Sequence, residues 1–344
     1  MILFESDYLE GCHPLILDAL RDSNLEQTLG YGEDAHCERA AERIRYVFDA
    51  PDAEVHFLVG GTQTNATVIS SLLRPWQGVL CAESGHINVH ETGAVEHGGH
   101  KVLALPATDG KISAAQVQAA LEAHQSDFSR EHTVQPGMVY ISFPTELGTI
   151  YTKQELQELH RVCRDWELPL FIDGARLGYG LEASGCTVLP KDLPALCDVF
   201  YIGGTKQGAL FGEAVVFCDP ALARDFRYNI KQNGGMLAKG RLLGIQFEVL
   251  MNEGLYFRLA RHADRLADRI RAAFRAKGFS FLVDNTTNQV FPVLPEAVAG
   301  RLAADFGFER WQRLDEERVA VRFCTSWATP ESAVTALEDA IRNL

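Results

Sequence analysis

The chain has 344 residues, 47% of them hydrophobic and 23% charged, the balance of a globular protein large enough for one major and one smaller domain. Its 46 acidic residues outnumber 32 basic ones, a net charge of −14, which argues against nucleic acid as the main partner because a polyanion would be repelled. No apolar stretch approaches a membrane span, and Met1 to Asp7 lacks the basic and apolar regions of a secretory leader. The eight cysteines (Cys12, Cys37, Cys81, Cys163, Cys186, Cys197, Cys218 and Cys324) form no C-x-x-C pair and lie mostly in apolar runs, as buried free thiols do. A cytoplasmic protein without membrane attachment is expected.

From His36 onward, helical and extended segments alternate. His36 to Ala50 has helical periodicity, and Glu54 to Val59 reads as a strand ending on Gly60-Gly61. Thr62 to Leu73 predicts a helix, Gly78 to Ala82 a strand, His86 to His97 a helix and Lys101 to Leu105 a strand. A helix over Ser113 to His124 precedes a strand at Met138 to Phe143, a helix over Lys153 to Asp165 and a strand at Leu168 to Ile172. Two more apolar runs, Asp198 to Ile202 and Gly212 to Phe217, flank a glycine-rich loop. Strands alternating with helices of this length predict a mostly parallel sheet covered on both faces. Beyond residue 220 the pattern changes. Asp219 to Phe247 is helical and interrupted by glycines, and Gly254 to Lys277 is one long amphipathic helix. Short strands at Phe279 to Val283, Gln289 to Val293 and Val319 to Cys324 then lead to a terminal helix, Glu331 to Asn343. The expected division is an N-terminal segment with a large α/β domain over 1–250 and a small α+β domain over 251–344.

Ligands of an open α/β sheet collect beyond the carboxyl ends of its strands, and four features fall there. Lys206 lies in Gly203-Gly204-Thr205-Lys206-Gln207-Gly208, between two apolar runs. It is either a solvated turn residue or an ammonium carried inward, where desolvation lowers its pKa and suits Schiff-base chemistry with an aldehyde such as pyridoxal phosphate (PLP). Gly60-Gly61-Thr62-Gln63 sits between strand and helix, a phosphate cradle of free N–H groups or an ordinary turn capped by Thr62. Asp173 ends a buried strand with Arg176 three residues on. The two form a local ion pair, or they serve the ring nitrogen of PLP and either its phenolic oxygen or a substrate carboxylate. His86 and His90 would share a face of the expected helix, but no metal-ligand spacing accompanies them, so a packed or ring-stacking histidine is favoured over a metal site. Gly178-Tyr179-Gly180-Leu181-Glu182-Ala183 matches G-x-G-x-x-A. It does not open the helix directly after a strand, and the match is read as accidental.

In order along the chain, Ser6-Asp7, Tyr31-Gly32-Glu33-Asp34, Gly60-Gly61-Thr62-Gln63-Thr64-Asn65, Gly85-His86, Glu91-Thr92-Gly93-Ala94, Ile172-Asp173-Gly174-Ala175-Arg176, Gly204-Thr205-Lys206 and Val321-Arg322 resemble the threonine aldolase and β-eliminating lyase group of fold type I PLP enzymes. The resemblance implies a large domain with a mostly parallel seven-stranded sheet between helices and a smaller C-terminal domain. It implies that Lys206 binds PLP covalently, that His86 stacks on the ring and acts as base, and that Asp173 pairs with the pyridine nitrogen. Gly61, Thr62, Gln63 and Thr205 would contact the cofactor, chiefly at its phosphate. Ser6, Arg176 and Arg322 would grip the carboxylate of a small amino-acid substrate. Relatives are dimers or tetramers with shared active sites, so Tyr31 would reach a neighbour's site. The implied reaction is cleavage of L-threonine, L-allo-threonine or a related β-hydroxy-α-amino acid to glycine and an aldehyde.

Two departures stand out. The group carries a second histidine where this chain reads Phe143-Pro144-Thr145-Glu146, which leaves Thr145 or Glu146 to recognise the substrate hydroxyl. Leu237 stands in place of a phosphate-binding arginine, with Lys239 and Arg241 as possible substitutes. The alternatives are β-elimination or transamination of another amino acid, a non-catalytic protein of the same fold, and a nicotinamide oxidoreductase resting on the glycine match.

Overall fold

The computed structural model describes residues 1–344. The chain opens with the short strand β1 (Ile2–Leu3), followed by a helix, Pro14–Asp22, that the sequence pattern did not reveal. Seven strands then build the main sheet: β2 (Glu54–Leu58), β3 (Gln77–Ala82), β4 (Lys101–Leu105), β5 (Gln135–Ser142), β6 (Leu170–Asp173), β7 (Val199–Gly203) and β8 (Glu213–Phe217). Their order is β2-β8-β7-β6-β5-β3-β4, and only β8 runs antiparallel to its neighbours. The expected seven-stranded, mostly parallel sheet is therefore present.

Strand periodicity explains the two-sided burial. Val139, Ile141, Ile172, Phe200 and Ile202 pack into one hydrophobic core, while their neighbours Met138, Tyr140, Phe171, Val199 and Tyr201 pack into another across the sheet. Helices between the strands carry explicit start signals. Thr152 and Glu155 form a capping box for Lys153–Asp165, as Ser113 and Gln116 do for Ala114–Ser126.

The smaller unit holds β9 (Gln289–Val290), β10 (Val293–Pro295), β11 (Phe306–Gly307), β12 (Glu309–Arg313) and β13 (Arg318–Cys324). β13 lies between β10 and β12, and also pairs with β9. The single strand expected over 289–293 is split, and Phe279 to Val283 forms only an isolated bridge, Phe281 to Pro292. Pro292 is the reason: without an N–H it cannot continue a ladder, so only Leu282 N to Phe291 O and Val293 N to Ser280 O bond across.

The helix Leu255–Ala276 joins the two units. Leu255, Tyr256 and Leu259 belong to the core of the large domain, and Leu266, Ile270 and Phe274 to that of the small one. The first residues, grouped with the large domain on sequence, are tied to the small one instead. β1 pairs in parallel with β11, the Phe4 carbonyl accepts from Cys324 N at 2.8 Å, and the Phe4 ring lies in the small domain's core.

Candidate active site

Five strands of the main sheet deliver functional groups to one cavity of about 340 Å³ beyond their carboxyl ends. β2 leads to Gly60–Thr62, β5 to Thr145 and Glu146, β6 ends in Asp173, and β7 leads to Thr205 and Lys206. His86, just past β3, lines the same cavity.

Lys206 is the cavity's amine. Burial is the main force lowering its pKa, the Arg176 charge adds to it, and the carboxylates of Asp7, Asp173 and Glu213 oppose it. Lys206 stands in the turn after β7, half-buried, and lines the cavity. Asp173 is 4% exposed and accepts four hydrogen bonds. Tyr201 OH (2.6 Å) and Ala175 N (2.9 Å) donate to Oδ1, and Tyr140 OH (2.6 Å) and Asn65 Nδ2 (2.9 Å) to Oδ2. Burial alone would raise its pKa, but the His86 charge and then these donors hold it below the usual carboxylate value.

His86 opens a short helix, His86–Val89; a second, Ala94–His97, follows a break where Thr92 and Gly93 take left-handed φ values of 53° and 72°. The single helix expected over 86–97 is therefore two. That break turns Glu91 inward, fully buried, so that its Oε1 meets His86 Nδ1 at 2.7 Å and Asn65 Nδ2 at 2.8 Å. Burial disfavours charge on His86, yet the Glu91 hydrogen bond, then the Asp173 and Glu91 charges, raise its pKa overall. Glu146 accepts from His86 N (2.9 Å) and Ser142 Oγ (2.6 Å), and burial raises its pKa.

The helix Gly61–Leu72 begins with no side-chain cap, so its first N–H groups face the cavity unspent. An uncapped helix end, an ionised carboxylate and a lysine of lowered pKa within one cavity fit the phosphate, ring nitrogen and aldehyde of PLP. No three His, Cys, Asp or Glu side chains converge as a metal would require.

Several of the expected side chains already have partners within the chain. Arg176 donates from Nε (2.7 Å) and Nη2 (3.0 Å) to Asp7, so a buried carboxylate already fills its fork. Asp7 also accepts from Asn288 Nδ2 at 2.9 Å, and its pKa is held at about 2: burial opposes ionisation, but Arg176 and Lys206 outweigh it. Thr205 Oγ1 donates to Glu213 Oε1 (2.9 Å) and accepts from Gly212 N (3.1 Å), a bond pair closed within the loop. Gln63 is spent on Val59 N and Asn233 O. Thr145 is buried with its hydroxyl on that of Thr149 (2.6 Å), which leaves Glu146 as the adaptable polar group there. Ser6 is buried with its hydroxyl unpartnered. Arg241 is taken up by the carbonyls of Asn24 and Glu26, while Tyr31 and Leu237 line a separate cavity of about 380 Å³.

The sequence reading missed Asn65, Tyr140 and Tyr201 as partners of Asp173, Glu91 as the partner of His86, and the buried carboxylate Glu213, whose pKa burial pushes up to about 8. The glycine match is explained by packing: a Cβ on Gly178 would come within 1.7 Å of Gln207 Nε2.

The sequence model of the β-eliminating lyase family matches residues 6–297. The chain is 31% identical over 342 residues to a low specificity L-threonine aldolase of a Pseudomonas species, covering 98% of this chain and 96% of that protein. It is 32% identical over 343 residues to a protein of the same name from Pseudomonas aeruginosa, with the same two coverages. Among solved structures it superposes on a threonine aldolase of Leishmania major with a TM-score of 0.97 and 42% identity, covering 100% of this chain and 99% of that one. An aspartate aminotransferase of Thermus thermophilus, at 16% identity and a TM-score of 0.75, shares the fold.

Proposed function

The chain belongs to the β-eliminating lyase family, and from that premise we propose that it is a PLP-dependent aldolase that cleaves L-threonine, L-allo-threonine or a related β-hydroxy-α-amino acid to glycine and an aldehyde. The observation that carries this reading is the convergence of Lys206, Asp173 and His86 on one cavity beside an uncapped helix end.

Bound PLP supplies an electron sink for the pair released when the Cα–Cβ bond breaks. The chain's residues supply the rest. Lys206, with its lowered pKa, is the amine that would hold the cofactor, and Gly61 and Thr62 would present N–H groups to the phosphate. Asp173, its pKa held low, would keep the ring nitrogen of bound PLP protonated. Arg322 takes the substrate carboxylate, and Arg176, locked on Asp7, lines the same cavity. With Nδ1 held by Glu91, His86 has Nε2 left to accept the β-hydroxyl proton, and Glu146 takes the recognition role of the missing histidine.

Incubation with L-threonine and phenylserine is expected to yield glycine and the matching aldehyde in equal amounts; ammonia with a keto acid would replace aldol cleavage by elimination. Glu91→Gln is expected to lower kcat about 10- to 100-fold, as loss of a residue that orients a catalytic group does. It removes the hydrogen bond that raises the His86 pKa. The acid limb of the pH profile, where His86 loses its proton to become a base, therefore moves to lower pH. An unmoved limb would remove His86 from that step.

The cysteines are free, no helix is long and apolar enough to cross a membrane, and we read the enzyme as cytoplasmic. The exposed side chains Leu9, Leu15, Leu17, Leu25, Leu29 and Tyr31 support a homo-oligomer, dimer or tetramer, with Tyr31 near a neighbour's site.

A further inference from the structure

Two arginines face the substrate end of the site, and each already holds a carboxylate. Asp7, on Arg176, is fully buried and carries a third bond from Asn288. Removing one member of such a pair leaves an uncompensated buried charge, so Asp7 does not exchange. Arg322 is different. Its partner Glu309 sits directly opposite it across the β12–β13 ladder, in ion-pair contact with Nη2, and is 45% exposed. The guanidinium is steadied independently: Nη1 donates to Gln289 Oε1 at 3.2 Å, Nη2 to the Glu5 carbonyl at 3.1 Å, and its carbon lies 5.0 Å from the Trp311 ring centre. Nε is buried and unpartnered. Glu309, Trp311 and Arg322 line a cavity of about 300 Å³ whose wall also includes Lys206, His86 and Glu146.

We propose that Glu309 holds the place of the substrate carboxylate on Arg322, is displaced when substrate binds, and thereby sets affinity for amino acids. This rests on the reading of Arg322 as the carboxylate-binding group. The exchange is favourable because the Glu309 half of the pair is exposed and screened by solvent, whereas a carboxylate that reaches Nε as well as Nη2 gains a bond that Glu309 does not make. Cross-strand register keeps the displaced carboxylate beside the site, ready to return when product leaves.

The test is titration of the PLP-loaded enzyme with glycine and, separately, with methylamine, an amine that lacks the carboxylate. Glu309→Gln is expected to tighten glycine about two- to fivefold, the worth of a pair with one exposed partner, to leave methylamine unchanged, and to move KM more than kcat. A general disturbance of the fold would move both ligands. Arg322→Lys and Arg322→Ala run in parallel. If they weaken glycine while Glu309→Gln leaves it unchanged or weaker, the place-holding role is wrong and the carboxylate reading stands. If neither arginine variant weakens glycine, the carboxylate reading fails, and the proposal with it.

Discussion

Lys206→Ala abolishes the visible absorbance of the lysine-bound cofactor and lowers glycine release from threonine and phenylserine on the order of 10³-fold or more, the scale of losing a positioned catalytic group. Both losses follow from one physical fact. The ammonium sits among Arg176, Asp7, Asp173 and Glu213 in a cavity where burial favours its neutral form, and only a neutral amine attacks an aldehyde. Alanine leaves Asp173 and the helix end in place, so PLP still binds, without its covalent link. Absorbance spectra and glycine assays on the same preparation check this. Glycine release at the wild-type rate would refute the assignment of Lys206.

Asp173→Asn lowers kcat about 10²- to 10³-fold, the range for losing one preorganised electrostatic group. The substitution keeps the shape and removes the charge that holds a ring nitrogen protonated. It also sets an amide among four donors. The Tyr140 and Tyr201 hydroxyls can turn, but the Ala175 N–H and Asn65 Nδ2 remain donors, so one faces the new NH₂. The His86 pKa falls as well, since Asp173 helps to raise it. Steady-state rates across pH, with a melting curve to confirm folding, test both effects. A kcat within a few-fold of wild type would mean that the ring is not served from this side.

Lys206, the Gly60–Gly61 turn and Asp173 were legible in sequence because each is announced by its immediate neighbours: glycines, strand ends, apolar runs. The network that makes them work was not. Asn65 meets Asp173 across 108 positions and Arg176 meets Asp7 across 169, separations that only the strand order resolves. β12 escaped notice for a local reason. Glu309-Arg310-Trp311-Gln312-Arg313 has one face in water and no buried residue, so no alternation marks it, and the partner of Arg322 went unseen with it. Arg176 lines the cavity, but a guanidinium's counter-charge cannot be read from its own segment.

The attachment of the first residues to the small domain has a consequence for how the protein is made. Asp7 leaves the ribosome well before Asn288, Phe306 and Cys324, which fix its segment. At about 5–20 residues per second the wait is roughly 15–60 s. During it the sheet that carries Lys206 can form before the segment of Asp7 is fixed to the small domain. Synthesis of the segments around Asn288, Phe306 and Cys324 is thus what fixes the Asp7 carboxylate in the fork of Arg176.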